Sequence, residues 1–337
     1  MKIVIQEPVF LLSNQKCNFN AYNYSFLVNY ATGIFTRSKK KLAAYIAALS
    51  FHGINPLRFN FYLDESELSN IDILICFNGK PYEKLNKMPK VGSFLKIMHI
   101  MDYADEPMLS NESLRDHKVD LLMGYTDHSK YCSFFKYHYD YEAKVISVPF
   151  GAGKRFYKQE FQMRYNKVLA IGAINDISNG TSCVSTFFPN EKYSHPIRDY
   201  IRSHAHNYKF ISSLLPTERE EKNKNIDMCR ELQSYNFFVN DLSIFNFPPA
   251  RTYEGIAAGS ILVGNKSPVY EELGFVDGTN CILIDSIECN DGIELLANRI
   301  SNIDINLIRH NSKILSERYT HDKIAERLNQ YIMSEIL

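Results

Sequence analysis

Short apolar segments alternate with segments of helical spacing along the first half of the chain. Residues 71–77 form a continuous apolar run of the type found in buried parallel strands. Residues 38–52 instead carry apolar side chains at helical spacing behind Ser38, which is suited to capping a helix. The other segments of this half are predicted as strands near the N-terminus and at 58–63, 95–101, 119–124 and 144–148, and as helices at 110–117 and 127–137. This order predicts a parallel sheet covered by helices, which is an α/β fold.

A second series of the same kind begins with a predicted strand at 167–172. Its other predicted elements are helices at 195–201, 226–234 and 251–258, strands at 208–215, 235–239 and 261–263, and a helical tail after 291. Residues 10–36 show weak periodicity and are expected to form a loop with at most an irregular helix, whereas 217–225 is a charge run expected to be a solvated loop. We therefore expect an N-terminal domain over 1–155, a C-terminal domain over 156–315 and a terminal helix over 316–337.

The composition is that of a globular protein with room for two domains, because the 337 residues are 45% hydrophobic and 23% charged. Lys plus Arg and Asp plus Glu both number 38, so no net charge favours nucleic acid or an anionic membrane as a partner of the whole chain. Seven cysteines without a Cys-x-x-Cys pair argue against a disulfide scaffold and a zinc cluster, and they fit a reducing compartment. We find no signal peptide and no membrane-spanning run, so we expect a cytoplasmic protein with at most peripheral membrane contact.

The stretch 246–285 carries the clearest candidate chemistry. Two prolines precede a short helix that Gly259 closes, and an apolar strand follows it. Glu254 is the lone carboxylate of this small, apolar helix, and an unpaired buried charge is costly. Glu254 could pair with Arg251 on the same helix face. Alternatively, Glu254 could accept hydrogen bonds from a ribose diol while Arg251 and the helix N-terminus bind phosphates, which would indicate a nucleotide site.

The residues in this stretch also follow a recognisable pattern, Arg-x-x-Glu-x-x-Ala-x-Gly, which continues through 271–275 and 277–280. The pattern resembles the donor-binding segment of GT-B glycosyltransferases, which have two Rossmann-like domains with parallel sheets facing across a cleft. It is most similar to glycosyltransferase family 4 and the spore-maturation-protein-like group that includes surface-polysaccharide transferases. The resemblance implies that Glu254 binds the ribose of a nucleotide sugar. The wider family has a second Glu eight residues upstream, where this chain has Asn246.

Three further residues are candidates for binding the donor. Arg198 lies in a His-Pro-Ile-Arg sequence that resembles an element of the same transferase group, and it could balance diphosphate charge or simply cover a helix surface. Gly172, at the end of a predicted strand, would let the backbone approach a phosphate. Lys266 follows a strand end, where open α/β sheets bind ligands, although a Lys in a turn is usually solvated.

The candidates on the acceptor side are His99, Asp102 and Asp105, which end one predicted strand and begin the loop after it. An inverting transferase needs such a group to accept the proton of the acceptor hydroxyl, and a retaining one does not. Asp105 is equally suited to capping a helix. Because the chain has no Asp-x-Asp pair and no His or Cys spacing of a metal site, we expect no metal and no cofactor.

The resemblance therefore implies a metal-independent glycosyltransferase that uses a nucleotide-sugar donor as co-substrate. Its acceptor would be a glycan or a lipid-linked sugar in surface polysaccharide biosynthesis. A nucleotide-sugar epimerase of the same architecture is one alternative. A non-catalytic scaffold with the transferase fold is another, and the amide at Asn246 favours it.

Overall fold

The chain folds into two compact α/β units. The first combines Met1–Pro149 with His321–Leu337, and the second comprises Phe150–Thr320. The second unit begins at Phe150, whereas the sequence analysis placed the domain boundary after residue 155. The computed structural model describes residues 1–12, 21–77, 88–90, 92–100, 111–138, 142–158, 163–172, 174, 176–178, 183–213 and 227–336.

The first unit is built on a parallel sheet of short apolar strands. These are β1 (Ile3–Gln6), β2 (Gly33–Phe35), β3 (Asn60–Tyr62), β4 (Ile73–Cys76), β5 (Leu95–His99), β6 (Leu121–Gly124) and β7 (Lys144–Ser147). Their order across the sheet is β3-β2-β1-β4-β5-β6-β7, and neighbouring strands are parallel. Every residue of β1, β4 and β6 is buried, as expected where helices cover both faces of a sheet. The predicted strands of this half are thereby confirmed.

Helices and 3-10 turns connect these strands. They are α1 (Ala21–Tyr30), α2 (Lys39–Phe51), α3 (Asn111–Asp116), α4 (His128–Tyr131) and α5 (Ser133–His138), with turns at Val9–Leu12, Pro56–Arg58 and Glu65–Asn70. Ser38 accepts a hydrogen bond from the backbone N–H of Lys41 at 3.3 Å, so the predicted cap of α2 is confirmed. The single helix predicted over 127–137 is instead α4 followed by α5, because the backbone is extended at Cys132.

The prediction for 10–36 allowed a helix, which is α1, and it was wrong in expecting a loop where strand β2 lies. Polar Asn23 and Ser25 are buried in α1, which removes the apolar periodicity that signals a helix. Gly33 begins β2, and a Cβ there would lie 2.7 Å from the ring of Tyr62. Close packing therefore requires the residue that most weakens a strand signal in the sequence.

The second unit has its own parallel sheet. Its strands are β8 (Tyr165–Ala170), β9 (Ile211–Ser213), β10 (Tyr235–Val239), β11 (Ile261–Asn265) and β12 (Ile282–Ile284). They are ordered β12-β11-β10-β8-β9. The chain therefore leaves β8 towards β9 on one side of the sheet and reaches β10 on the other. This change of direction makes the carboxyl ends of β8 and β10 a topological switch point.

Helices pack on both sides of this second sheet. They are α6 (Cys183–Phe187), α7 (Pro196–His204), α8 (Met228–Ser234), α9 (Ala250–Ala257), α10 (Pro268–Glu272), α11 (Asn290–Asn302) and α12 (Ile305–Glu317), with 3-10 turns at Lys154–Tyr157 and Ala205–Asn207. The helix and strand predicted at 251–258 and 261–263 are confirmed as α9 and β11. The charge run 217–225 lies outside the described residues.

The last helix, α13 (His321–Ile336), belongs to the first unit. It packs against α1, where the Ser25 hydroxyl donates a hydrogen bond to Asp322 at 2.6 Å. The sequence analysis began this terminal helix at residue 316, whereas residues 316 and 317 are the end of α12. None of the helices that the structure describes has the length and apolar character needed to cross a membrane.

Candidate nucleotide site

The carboxyl ends of β8 and β10 lie side by side in the second unit. Val239, the last residue of β10, is paired with Ala170, the last residue of β8. The next residues include Gly172 after β8 and the polar pair Asn240 and Asp241 after β10. In open parallel sheets, ligands bind in the crevice at such a switch point.

Helix α9 carries Arg251 and Glu254 and lies directly on β10. A Cβ at Gly255 would collide with the ring of Phe238 in β10, so the absence of a side chain at Gly255 permits this close approach. Buried contact with the sheet leaves the helix little freedom to move. Arg251 and Glu254 are therefore held at a fixed distance from the switch point.

Two arginines fix the C-terminal end of α9. Arg164 donates a hydrogen bond to the carbonyl of Ala258 at 2.7 Å, and Arg309 donates one to the carbonyl of Gly259 at 3.1 Å. Gly259 has φ +78, the left-handed conformation that ends many helices. The two guanidinium groups also face the negative end of the helix dipole, which they stabilise. The position of α9 is therefore fixed both by these contacts at its C-terminal end and by its packing on β10.

Three guanidinium groups gather around the backbone of Gly172. A Cβ at Gly172 would overlap a guanidinium nitrogen of Arg251 and lie 2.8 Å from one of Arg198. Arg202, one turn after Arg198 in α7, donates a hydrogen bond to the carbonyl of Gly172 at 2.5 Å. Gly172 itself has φ +132, which residues with a side chain rarely adopt. The strand end is thus free of side chains and faces arginines from two helices.

Burial lowers the pKa of all three arginines, and repulsion from neighbouring arginines adds to the shift of Arg251 and Arg202. Burial is the larger cause for Arg251, whose pKa falls to about 10, and the neighbouring charge of Arg198 adds to the shift. The pKa values of Arg198 and Arg202 fall for the same first reason, and Arg198 contributes to the shift of Arg202. Gathering like charges away from water costs free energy unless an anion balances them. The cluster therefore has the electrostatics of an anion site.

Asp241 holds Arg198 in this cluster. Its carboxylate accepts hydrogen bonds from Nη2 of Arg198 at 3.2 Å, from the backbone N–H of Arg198 at 3.3 Å and from Nδ1 of His195 at 2.6 Å. Burial alone would raise the pKa of Asp241, but the charges of Arg198 and His195 outweigh it and keep the pKa below its usual range. The start of α7 is therefore tied to the carboxyl end of β10 by a buried ion pair.

Asn240 links the two helices of the cluster. Its side-chain oxygen accepts a hydrogen bond from Nη2 of Arg198 at 2.6 Å, and its amide nitrogen donates one to the hydroxyl of Thr252 in α9 at 2.7 Å. The hydroxyl of Tyr270 donates to its backbone carbonyl at 3.2 Å. One residue after β10 thus orients α7, α9 and α10 about the same strand end.

Glu254 is buried, at 8% exposure. Among the residues that the structure describes, neither Glu254 nor Arg251 forms a hydrogen bond or an ion pair. Burial raises the pKa of Glu254, and the more distant charges of Arg251 and Arg155 oppose that rise. The pairing of Glu254 with Arg251, one of the two interpretations of the sequence, is therefore not seen. Both side chains are available to a third group.

Lys266 and Asn246 have other surroundings. Lys266 follows β11 and pairs with Asp285 at 3.0 Å, with both side chains well exposed. Asn246 lies between β10 and α9 with φ +59, and Ser243 shares this left-handed conformation. Such a backbone is unfavourable for residues other than Gly, and it persists where the surroundings impose it. The loop before α9 is thus strained at two positions.

The candidate catalytic residues fall in the first unit. His99 ends β5 and is buried, with the hydroxyl of Tyr22 at 3.2 Å from its Nδ1 and the ring of Tyr125 against its own. Burial, with a smaller contribution from His128, lowers the pKa of His99 to about 3. Its imidazole is therefore neutral near pH 7. Asp102 and Asp105 lie outside the described residues.

Sequence analysis identified four members of the cluster, namely Gly172, Arg198, Arg251 and Glu254, and it missed Arg202, Asn240 and Asp241. Two signals could have found the missed residues. Arg202 follows Arg198 by four positions, which places both on one helix face. Asn240 and Asp241 are the polar residues directly after a buried strand, at the end where parallel sheets bind ligands.

Solved structures share this fold over nearly the whole chain. HepE of Anabaena, in complex with UDP, is 12% identical with a TM-score of 0.57, and the match covers 99% of this chain and 100% of HepE. Sucrose-phosphate synthase of Thermosynechococcus elongatus is 9% identical with a TM-score of 0.55, at 99% and 98% coverage. A glycosyltransferase of Rickettsia africae is 10% identical with a TM-score of 0.50, at the same coverage. With the two parallel sheets, these similarities confirm the predicted GT-B fold.

Comparisons of the sequence do not identify a family within the GT-B fold. No family model matches the chain, and no curated protein matches it. The assignment to glycosyltransferase family 4 and its spore-maturation-protein-like group stays a prediction.

Proposed function

We propose that this chain is a glycosyltransferase that moves a sugar from a nucleoside diphosphate sugar to a glycan or a lipid-linked acceptor in surface polysaccharide biosynthesis. The observation that carries the proposal is the convergence of Arg198, Arg202 and Arg251 on the bare backbone of Gly172. Guanidinium groups bind phosphate oxygens through paired N–H donors. A glycine at the strand end lets a phosphate reach the backbone as well.

The charge of the cluster fits a diphosphate. Two buried carboxylates lie near the three guanidinium groups, namely Asp241, which pairs with Arg198, and Glu254, whose charge acts on Arg251 without a hydrogen bond. A bound diphosphate would supply the negative charge that offsets the remaining guanidinium groups. The same groups would stabilise the nucleoside diphosphate as it leaves, because its charge grows as the bond to the sugar breaks. We accordingly propose transfer without a metal or a cofactor, since arginines supply the positive charge.

Glu254 fits the ribose of the same nucleotide. It lies one turn after Arg251 in α9, buried and without a hydrogen-bond partner in the described part of the chain. A carboxylate in this state gains most from two neighbouring hydroxyl donors, which a ribose diol presents. We propose that Glu254 holds the ribose while Arg251 faces the phosphates.

A uridine diphosphate sugar is the first donor to test. HepE, which shares the fold, has been solved with UDP, with UDP and glucose, and with UDP-glucose.

On the acceptor side, His99, Asp102 and Asp105 remain our proposed catalytic residues, and Lys266 remains a proposed contact of the donor. We place the protein in the cytoplasm, because seven cysteines without a Cys-x-x-Cys pair fit a reducing compartment.

Nucleotide binding tests the donor site. We expect saturable binding of at least one common nucleoside diphosphate in isothermal titration calorimetry. Glu254→Gln should raise its Kd about ten- to hundredfold, because the variant loses a charge-assisted hydrogen bond. The matched control is Glu294→Gln, an exposed acid in α11 that should leave the Kd unchanged. Equal Kd values for wild type and Glu254→Gln would remove Glu254 from the site.

Product release tests the reaction. A transferase releases nucleoside diphosphate from UDP-glucose or a related donor only when an acceptor glycan or lipid-linked sugar is present. Conversion of one nucleotide sugar into another without an acceptor would identify an epimerase instead. Binding without turnover across a panel of donors and acceptors would identify a scaffold.

A further inference from the structure

An apolar surface in the first unit is left exposed to solvent. It comprises Val9 and Leu12 in the first 3-10 turn, Ile46 and Phe51 in α2, and Leu57 in the second 3-10 turn, and we call it the α2 surface. Both turns pack against α2, so the five side chains lie on adjoining elements. Phe51 is 79% exposed and Leu57 is 91% exposed. Single exposed apolar residues are ordinary, but a cluster on adjoining elements usually marks a contact surface.

Helix α2 is apolar on its outward side as well as on its buried side, where Tyr45 and Leu49 lie. Its outward side carries Ala43, Ile46, Ala47 and Phe51, where polar residues normally face water. Its only charged residues are the three consecutive lysines at its N-terminal end, and it contains no Asp or Glu. An outward apolar face beside basic residues is the composition of elements that lie in the interface of a membrane.

The charge near this surface is positive. Lys39 and Lys40 are exposed, and neither forms an ion pair within the described residues. Arg58 stacks over the ring of Phe59 at 4.9 Å and is likewise unpaired with an acid there. Two other described cations, Lys41 and Arg37, have acidic partners, because Lys41 pairs with Glu7 at 2.8 Å and Arg37 pairs with Glu65. Lys39, Lys40 and Arg58 are therefore free to attract an anionic partner.

We propose that the α2 surface docks the first unit on an anionic lipid bilayer. Phe51 and Leu57 would enter the boundary between headgroups and acyl chains, and Lys39, Lys40 and Arg58 would contact lipid phosphates. The cations supply long-range attraction and the apolar side chains supply insertion, so the two contributions act together. This inference does not depend on sugar transfer, because membrane binding is measured without donor or acceptor.

Flotation with lipid vesicles tests the proposal with the full chain. Vesicles in which about a third of the lipid is phosphatidylglycerol should bind the protein at low salt, and vesicles of phosphatidylcholine alone should bind it at least about tenfold more weakly. Raising the salt concentration should weaken the binding, because it screens charges at the bilayer surface. Equal binding to both vesicle types, or binding to neither, would overturn the proposal.

Paired variants separate the two contributions. Lys39→Gln with Lys40→Gln should lower the partition coefficient about ten- to thirtyfold, and Phe51→Ser with Leu57→Ser should lower it about tenfold or more. All four residues are exposed, so the variants should fold, which circular dichroism and the nucleotide Kd would check.

Matched controls come from exposed residues of the second unit. Lys167→Gln with Lys209→Gln, and Leu307→Ser with Ile314→Ser, should leave vesicle binding unchanged. Equal losses in these controls would show that general charge or hydrophobicity binds the lipid, and would overturn the assignment to the α2 surface. Analytical ultracentrifugation tests whether a second copy of the chain covers the α2 surface instead of a membrane. A dimer of the wild type that becomes a monomer in Phe51→Ser would show this and would overturn the proposal.

Discussion

Buried titratable groups lie at the carboxyl edges of both sheets, but they are charged in the second unit and neutral in the first. At the edge of the second sheet, Arg198 and Asp241 form a buried ion pair beside the further cation Arg251. At the edge of the first sheet, His99 and His128 are buried as neutral rings, because burial lowers the pKa of each to about 3. The second unit keeps charged groups in its interior, which costs desolvation free energy, whereas the first unit avoids that cost by keeping its buried histidines neutral.

This difference in charge distinguishes our proposed ligand site around Gly172 from titratable groups that only pack in the protein interior. Asp241 and Glu254 offset only part of the positive charge around Gly172, so a bound anion would stabilise it, which favours our proposal of a ligand site there. The neutral histidines already have neighbours in the protein, since Tyr22 lies against His99 and the backbone N–H of Tyr125 donates to Nε2 of His128 at 3.2 Å. Residue type alone does not distinguish a titratable group that binds a ligand from one that only packs in the interior. The charge of the surrounding residues distinguishes them.

The largest predicted effect concerns the buried ion pair of the second unit. Arg198→Met leaves Asp241 buried without its main partner and should lower the free energy of unfolding by about 3–5 kcal/mol. Arg198→Met combined with Asp241→Asn removes both charges and should recover a large part of that loss. Urea denaturation measures both values, and exposed Arg230→Met is the control, expected within about 0.5 kcal/mol of wild type. A double variant no more stable than Arg198→Met would contradict the assignment of the cost to charge.

The same pair shows what the sequence could and could not reveal. Arg198 was found because it lies in a local motif, and Glu254 because it is the lone acid of an apolar helix. The partner of Arg198 is 43 positions away, and no local pattern joins the two residues. Strands such as β4 were predicted because a continuous apolar run is a local signal. Helix α1 was expected at most as an irregular helix because its buried face includes polar Asn23, and only the fold explains that burial.

The second prediction concerns the neutral histidines of the first unit. Because their folded pKa values lie below the unfolded value near 6.5, the unfolded state binds more protons at acidic pH. Their contribution to stability is complete above about pH 6.5 and is lost as the pH falls towards 3, by up to roughly 1.4 kcal/mol per pH unit and histidine. Urea unfolding between about pH 7.5 and pH 5 measures this slope.

Variants assign the slope to particular rings. His99→Gln and His128→Gln should each make the free energy of unfolding less dependent on pH, and the double variant should show the flattest dependence. Exposed His206→Gln is the control and should leave the slope unchanged, because solvent surrounds its ring in both states. A slope that survives in the double variant would mean that other groups carry the acid sensitivity.

The smallest predicted effect isolates the bare backbone at the centre of the cluster. Gly172→Ala places a methyl group against the guanidinium groups of Arg251 and Arg198, so it should weaken nucleoside diphosphate binding at least about tenfold by displacing them. Positive φ at residue 172 adds a backbone cost of about 1 kcal/mol or more. Gly53→Ala is the control, because φ is +73 there and no described atom lies within 4 Å of a new Cβ. Both variants should lose the backbone contribution to stability, Gly172→Ala should lose more because of the overlap with Arg251, and only Gly172→Ala should lose nucleotide affinity in calorimetry. Equal affinities would mean that the arginines do not meet the ligand at this strand end, and the contrast between the two sheet edges would then reflect packing alone.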